Sequence, residues 1–222
     1  MQNTEKGRAV RILCLDPSED LKACMELGRG SILFSATFLP IQYYKQLLGG
    51  TKEDYEIYAE TVFDPGRCTY LIGRDITTKY TARSREMYRK TALYIRNIAA
   101  SMRGNYLVFF PSFAYLERTR QVYEEEYGTK QTEILCQRPD MTQEEKERFL
   151  SCFSEGNRLR LEDKIHYDLT VVENRTLVGF CVMGGIFGEG IDLRGESLIG
   201  VIIVGCGIPQ VGFSRNLLKE YF

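Results

Sequence analysis

The feature that most constrains the fold is a set of short, nearly unbroken apolar runs, Tyr106–Phe110, Leu177–Met183 and Ser197–Val204, set between amphipathic segments. A strand that is apolar on both sides has to be covered on both faces, which is the habit of strands in a parallel sheet. Alternation of such strands with helices predicts an α/β domain, a mainly parallel sheet flanked by helices. The composition supplies the means: 44% of residues are hydrophobic, enough to bury a core. Basic and acidic residues number 29 and 30, so the chain is no polycation that coats nucleic acid wholesale, and a local basic stripe stays open.

The rest of the chain follows the same grammar. Val10–Leu15 and Ser31–Ser35 read as buried strands. Ser18–Leu27 reads as a helix entered through Asp16-Pro17-Ser18, and Pro40–Leu48 as another, stopped by Gly49-Gly50. The polar stretch Thr51–Glu56 reads as a linker. Beyond it come a strand at Cys68–Ile72 and a long helix over Ser84–Arg103, on which Tyr88, Ala92, Ile95, Ala99 and Met102 share one face. Pro111-Ser112 opens a further helix, and Glu133–Cys136 reads as a strand. Thr142 with Glu145 has the spacing of a capping box, and a helix runs from there through Phe153. A glycine-rich turn, Gly184–Gly195, joins the last two strands.

Several chemistries are disfavoured. No two of the seven cysteines are spaced as C-x-x-C, and His166 is the only histidine, so no metal site is expected. An odd count of cysteines, scattered through apolar stretches, suits free thiols in a reducing cytoplasm. No basic-then-apolar leader and no run of about 20 apolar residues is found, so no membrane association is expected. His166 reads as surface or core filler, and Asn174-Arg175-Thr176 as a chance sequon.

The richest stretch is Gly184-Gly185-Ile186-Phe187-Gly188-Glu189-Gly190-Ile191-Asp192-Leu193. Its glycines permit positive φ and close backbone approach, and its two carboxylates lie at the end of a buried strand, where open α/β sheets bind ligands. A dinucleotide loop fits poorly, because Leu193 stands where the third glycine belongs and a strand, not a long helix, follows. On its own, the stretch reads as a plain glycine turn with incidental acids. Two other segments share its setting: Ser35-Ala36-Thr37 follows one apolar run and Phe109-Phe110-Pro111-Ser112 another. Taken singly, Ser35 and Thr37 read as a strand-end turn and Ser112 as an N-cap.

In order and spacing, Ser35-Ala36-Thr37, Phe109–Ser112 and Gly188–Asp192 resemble three motifs of superfamily 2 helicases of the DinG/XPD-like branch. The flanking Cys14–Ser18, Tyr43–Gly49 and Val201–Pro209 match as well, so the resemblance covers nearly the whole chain. It implies a RecA-like second motor domain over residues 51–222, preceded in residues 1–50 by a βαβα remnant of the first motor domain. It implies an ATP-dependent DNA helicase that moves 5′ to 3′ on single-stranded DNA, using ATP and Mg2+. Ser35, Ala36 and Thr37 would couple the phosphate site to the DNA track. Pro111 and Ser112 would face DNA; Arg89, on the basic stripe of the long helix, is a separate candidate for DNA contact. Gly188, Glu189, Gly190 and Asp192 would face the nucleotide cleft, Asp192 toward the ribose or the opposing domain and Glu189 ordering the loop.

The chain also departs from that pattern. It has no G-x-x-x-x-G-K-[ST] and no Asp-Glu-Ala-His box, and the family's Gln-x-x-Gly-Arg-x-x-Arg motif would fall beyond Phe222. The four-cysteine iron–sulfur module of many relatives is not here either, although a longer parent chain has room for one. The expectation is therefore an active parent enzyme and a chain that does not turn over ATP alone. Two other readings stay open: a non-catalytic nucleic-acid-binding α/β module, and a Rossmann-type small-molecule enzyme using the glycine turn. A Walker A sequence in the flanking coding region would separate them.

Basic residues gather at Lys79, Arg83, Arg85, Arg89, Lys90, Arg96 and Arg103, and four of these arginines form one stripe of the long helix. The stripe reads either as a solvated helix face or as a phosphate track. The 14 tyrosines and 12 phenylalanines offer base-stacking surfaces, none of which the sequence singles out. Finally, an orphan pair of strands in residues 1–50 would need a substitute surface, either by docking on the second domain or by pairing with another copy; the competing view is that the pair belongs natively to the second domain's sheet.

Overall fold

The computed structural model describes residues 2–4, 7–9, 12–154, 175–208 and 212–221. His166 and Asn174 lie outside the described residues. The chain forms two compact units, Met1–Tyr70 with Gln210–Phe222, and Leu71–Pro209.

Among its described residues the first unit holds a short antiparallel hairpin, β1 (Gln2–Thr4) with β2 (Gly7–Ala9), and the α-helices α1 (Ser18–Glu26), α2 (Ile41–Leu47) and a C-terminal helix, Phe213–Tyr221. Asp16 accepts from Ser18 N at 2.9 Å at the start of α1, and Gly49, with φ 79°, ends α2 as its sequence position predicts. After α2 the chain folds back, with Lys45 Nζ donating to Asp54 O at 2.7 Å and to Glu56 Oε1 at 2.8 Å. The strands expected here do not form. Ile12–Leu15 and Ser31–Ser35 are irregular, and Ile32 and Phe34 are each 89% exposed. An apolar run states a demand for burial, yet a strand exists only where a partner supplies a ladder. These runs have no such partner among the described residues.

The second unit is the α/β layering that the sequence predicts. Among the described residues its strands are β3 (Asn105–Phe110), β4 (Thr132–Cys136), β5 (Thr176–Val182) and β6 (Gly200–Ile203), all parallel, in the order β4-β5-β3-β6. Ladder partners include Phe110 with Val182 and Phe109 with Ile203. The central strands β3 and β5 carry the continuous apolar runs, and every residue of β5 is buried. Cys68–Ile72, expected as a strand, is irregular and exposed, with Ile72 86% accessible.

Alternation along the strands divides the core between two faces. On one, α3 (Arg85–Ser101) and α4 (Phe113–Tyr127) cover Tyr106, Val108, Phe110, Val178 and Phe180. Ala92, Ile95 and Ala99 face that core as their spacing requires, while Met102 lies past the last turn and is exposed. On the other, α5 (Gln143–Ser151) brings Phe149, followed by Phe153, against Leu107, Leu177 and Cys181. The capping box opens α5: Thr142 Oγ1 accepts from Glu145 N, and Glu145 Oε2 accepts from Thr142 N.

Candidate functional site at the carboxyl edge of the sheet

Because the strands are parallel, all their carboxyl ends meet at one edge of the second unit. There β3 runs out into Pro111-Ser112 and its neighbour β5 into the glycine turn, with Met183 N donating to Phe110 O at 2.9 Å just where they part. Ser112 adopts an extended conformation and caps α4, its Oγ accepting from Tyr115 N at 3.3 Å. The amides of the first turn of α4 therefore open onto this edge, with the partial positive charge of a helix start.

The glycine turn is anchored on one side and open on the other. Gly185 N donates to Val182 O at 3.0 Å and Gly188 N to Gly185 O at 2.9 Å, which closes two successive tight turns. Gly184 and Gly190 both have φ 69°, a conformation that costs any side chain with a Cβ. Phe187 is fully buried, its ring 4.4 Å from that of Phe149, whereas Gly188, Glu189, Gly190 and Asp192 are exposed. Arg194 holds the Asp192 carboxylate, with its Nη2 2.7 Å from Oδ2. Gln137 joins the ends of β4 and β5: its backbone N donates to Phe180 O at 2.8 Å and its Oε1 accepts from Val182 N at 2.9 Å. Sequence reasoning passed over Gln137 and Phe187, which fix the turn on the sheet; a buried aromatic inside a glycine-rich stretch was the available signal for the second.

The arginine stripe has a different setting. Arg89 Nε lies 2.7 Å from Glu126 Oε2 and Arg85 Nη2 lies 2.9 Å from Glu125 Oε2, both acids in the last turn of α4. That turn lies about 20 Å along the helix axis from Ser112, so Arg89 and Ser112 do not form one site. Arg96 lies over the Tyr127 ring at 5.8 Å. Arg85, Arg89 and Arg96 of the stripe thus meet residues of α4.

In the first unit, Ser35-Ala36-Thr37 makes a tight exposed turn: Thr37 N donates to Ser35 Oγ at 3.1 Å, and the two hydroxyls lie 3.0 Å apart. Among the described residues, no three His, Cys, Asp or Glu side chains gather where a metal could bind, and no helix is long and apolar enough to cross a membrane. Burial pushes the Cys136 and Cys181 thiols up to about 12, so neither is a nucleophile near neutral pH.

Residues 95–222, more than half of the chain, match the helicase C-terminal domain family. The chain belongs to this family, in its DinG/XPD-like superfamily 2 branch. The chain is similar to the ATP-dependent DNA helicase XPD of Sulfolobus acidocaldarius, 28% identical over 85% of this chain and 30% of that protein. It is also similar to the ATP-dependent DNA helicase CHL1 of Scheffersomyces stipitis, 25% identical over 96% of this chain and 25% of that protein. The chain thus spans less than a third of the length of these relatives. The solved structure XPD_APO aligns with TM-score 0.44 at 24% identity, over 66% of this chain and 25% of that one.

Proposed function

We propose that this chain supplies the second motor domain, and the coupling segment before it, of an ATP-dependent DNA helicase that translocates 5′ to 3′ on single-stranded DNA and unwinds duplex. The observation that carries this reading is the delivery of two turns to one edge by neighbouring strands. Pro111-Ser112 leaves β3 and Gly184–Asp192 leaves β5, each bearing exposed backbone in the region where α/β sheets bind ligands.

The chemistry divides between them. The Ser112 hydroxyl and the amides of the first turn of α4 suit a backbone phosphate of DNA. The Gly188–Asp192 turn, open and acidic, would face MgATP bound against the first motor domain, with Asp192 exchanging Arg194 for the ribose or for a group of that domain. Both charges are largely exposed, so the exchange costs little. Ser35 and Thr37, already hydrogen-bonded to each other, have hydroxyls that can change partners between nucleotide states. The phosphate-binding loop and the arginines that stabilise the transferring phosphoryl group would come from elsewhere in a longer parent, which would also house any iron–sulfur cluster.

The test is a titration of the purified chain with labelled single-stranded DNA across a range of salt, alongside an ATPase assay. The expected result is weak binding that falls steeply with salt and no DNA-stimulated phosphate release. Salt-independent binding, or none at low salt, would refute the DNA track; turnover by the chain alone would refute the division of labour.

A further inference from the structure

The segment before α3 crosses the same carboxyl edge. Thr78 lies against Gly205 at the end of β6; that glycine has φ 77°, and a Cβ there would collide with the threonine. Asp75 ties the segment to α3 through Tyr94 Oη at 2.7 Å. From this strap Arg83 reaches back, and its Nε donates to Thr78 O at 3.2 Å. Its guanidinium lies over two aromatic rings, 5.4 Å from the centroid of Tyr80 and 5.5 Å from that of Tyr115. Tyr115 is fully buried in the first turn of α4, the turn that Ser112 caps, whereas Tyr80 is 84% exposed.

Several arginines of this unit are matched by acids: Arg85 and Arg89 by Glu125 and Glu126, Arg120 by Glu117 and Glu124, Arg138 by Glu145; Arg96 lies over a single ring, that of Tyr127. Arg83 is half-buried and has no carboxylate in ion-pair reach among the described residues. Two π faces replace the acid, which holds the charge without neutralising it. With Nε engaged by Thr78, the paired Nη groups remain as a planar fork of the shape that grips a phosphate in two hydrogen bonds. The exposed Tyr80 ring, backed by the cation, offers a sequence-tolerant stacking surface for an unpaired base.

We propose that Arg83 and Tyr80 form a nucleotide seat for single-stranded DNA beside Ser112, in which Arg83 takes a backbone phosphate and Tyr80 stacks on a base. This rests on the single-stranded DNA track proposed above. Neither residue belongs to the three motifs that the sequence points to, so the seat extends the track onto the strap.

The experiment is fluorescence anisotropy of labelled oligo(dT) with the full chain, titrated in sodium chloride. Arg83→Gln should flatten the slope of log affinity against log salt by about 0.7, one phosphate on a single strand, while Arg83→Lys keeps the slope. Tyr80→Ala should weaken binding about tenfold with the slope unchanged. Tyr80→Phe should restore it, and an abasic oligonucleotide should erase the difference. Arg120→Gln, which removes the same charge where Glu117 and Glu124 already pair it, should leave the slope alone. The seat is overturned if Arg83→Gln and Tyr80→Ala bind as the unaltered chain does, or if Arg120→Gln flattens the slope equally. Failure of the unaltered chain to bind at low salt brings down the track and the seat together.

Discussion

Arg89 of α3 and Glu126 of α4 meet at 2.7 Å, and the pairing decides how the basic stripe behaves. The guanidinium holds the Glu126 carboxyl below its ordinary range, and the carboxylate raises Arg89 in turn. Both groups face solvent, so the pair is screened and contributes little to stability. The charge is nonetheless matched locally, and a matched charge has little to offer a phosphate. Arg89→Ala should leave both the melting temperature and the affinity for single-stranded DNA nearly unchanged. A clear loss of affinity without a change in melting temperature would return Arg89 to the track.

Ser112 has two roles that one substitution can separate. As the N-cap of α4 it accepts from Tyr115 N, and its replacement by alanine should cost about 1 kcal/mol of stability. Aspartate caps as well as serine does, so Ser112→Asp should hold the fold. A carboxylate at this point repels a DNA phosphate, and affinity at low salt should fall more for Ser112→Asp than for Ser112→Ala. Chemical denaturation and a DNA titration on the two variants make the check. If Ser112→Asp binds as tightly as the unaltered chain, the hydroxyl is only a cap.

The glycine turn predicts a second separation, between Asp192 and Phe187. Asp192 is exposed and its loss opens no cavity, so Asp192→Ala should melt with the unaltered chain. Phe187 is fully buried against Phe149, and Phe187→Ala should cost about 3–5 kcal/mol. In a longer parent enzyme, Asp192→Ala should slow ATP-driven unwinding severely at unchanged stability. Several degrees of destabilisation with unwinding per folded molecule intact would make Asp192 a structural residue.

What the sequence made legible was local. Ser84, Ser112 and Thr142 announce their helices because a cap and the turn it serves are three residues apart. The runs at Tyr106–Phe110 and Leu177–Met183 announce central strands because both faces of each strand are apolar. What escaped depends on partners far along the chain. Nothing near Arg89 reveals that Glu126 will meet it, and nothing near Arg83 reveals Tyr115. The runs at Ser31–Ser35 and Cys68–Ile72 look like strands by the same criterion that succeeds for β3, and fail because pairing is a property of two segments. The C-terminal helix, Phe213–Tyr221, was not anticipated, for its sequence carries no cap signal that stands out from the preceding turn residues.

The exposed apolar residues of the first unit lead to the last prediction. Ile32 and Phe34 are each 89% exposed, Ile57 91% and Val62 92%, on either side of the segment proposed above to couple two motor domains. Scattered apolar side chains are ordinary on a surface, but runs of them on unpaired backbone invite strand pairing. We expect the chain to self-associate as its concentration rises, through Ser31–Ser35 and its surroundings. Sedimentation velocity over a concentration series should give a rising weight-average mass. Replacing Ile32 and Phe34 together by serine should lower it toward the monomer, with the melting of the second unit unchanged, because neither residue lies in its core. If the first motor domain natively pairs these runs, a longer chain carrying it should not associate in this way. A chain that stays monomeric at every concentration, with both hydrophobic residues in place, would mean that the exposed runs are satisfied by solvent and have no part in assembling the motor.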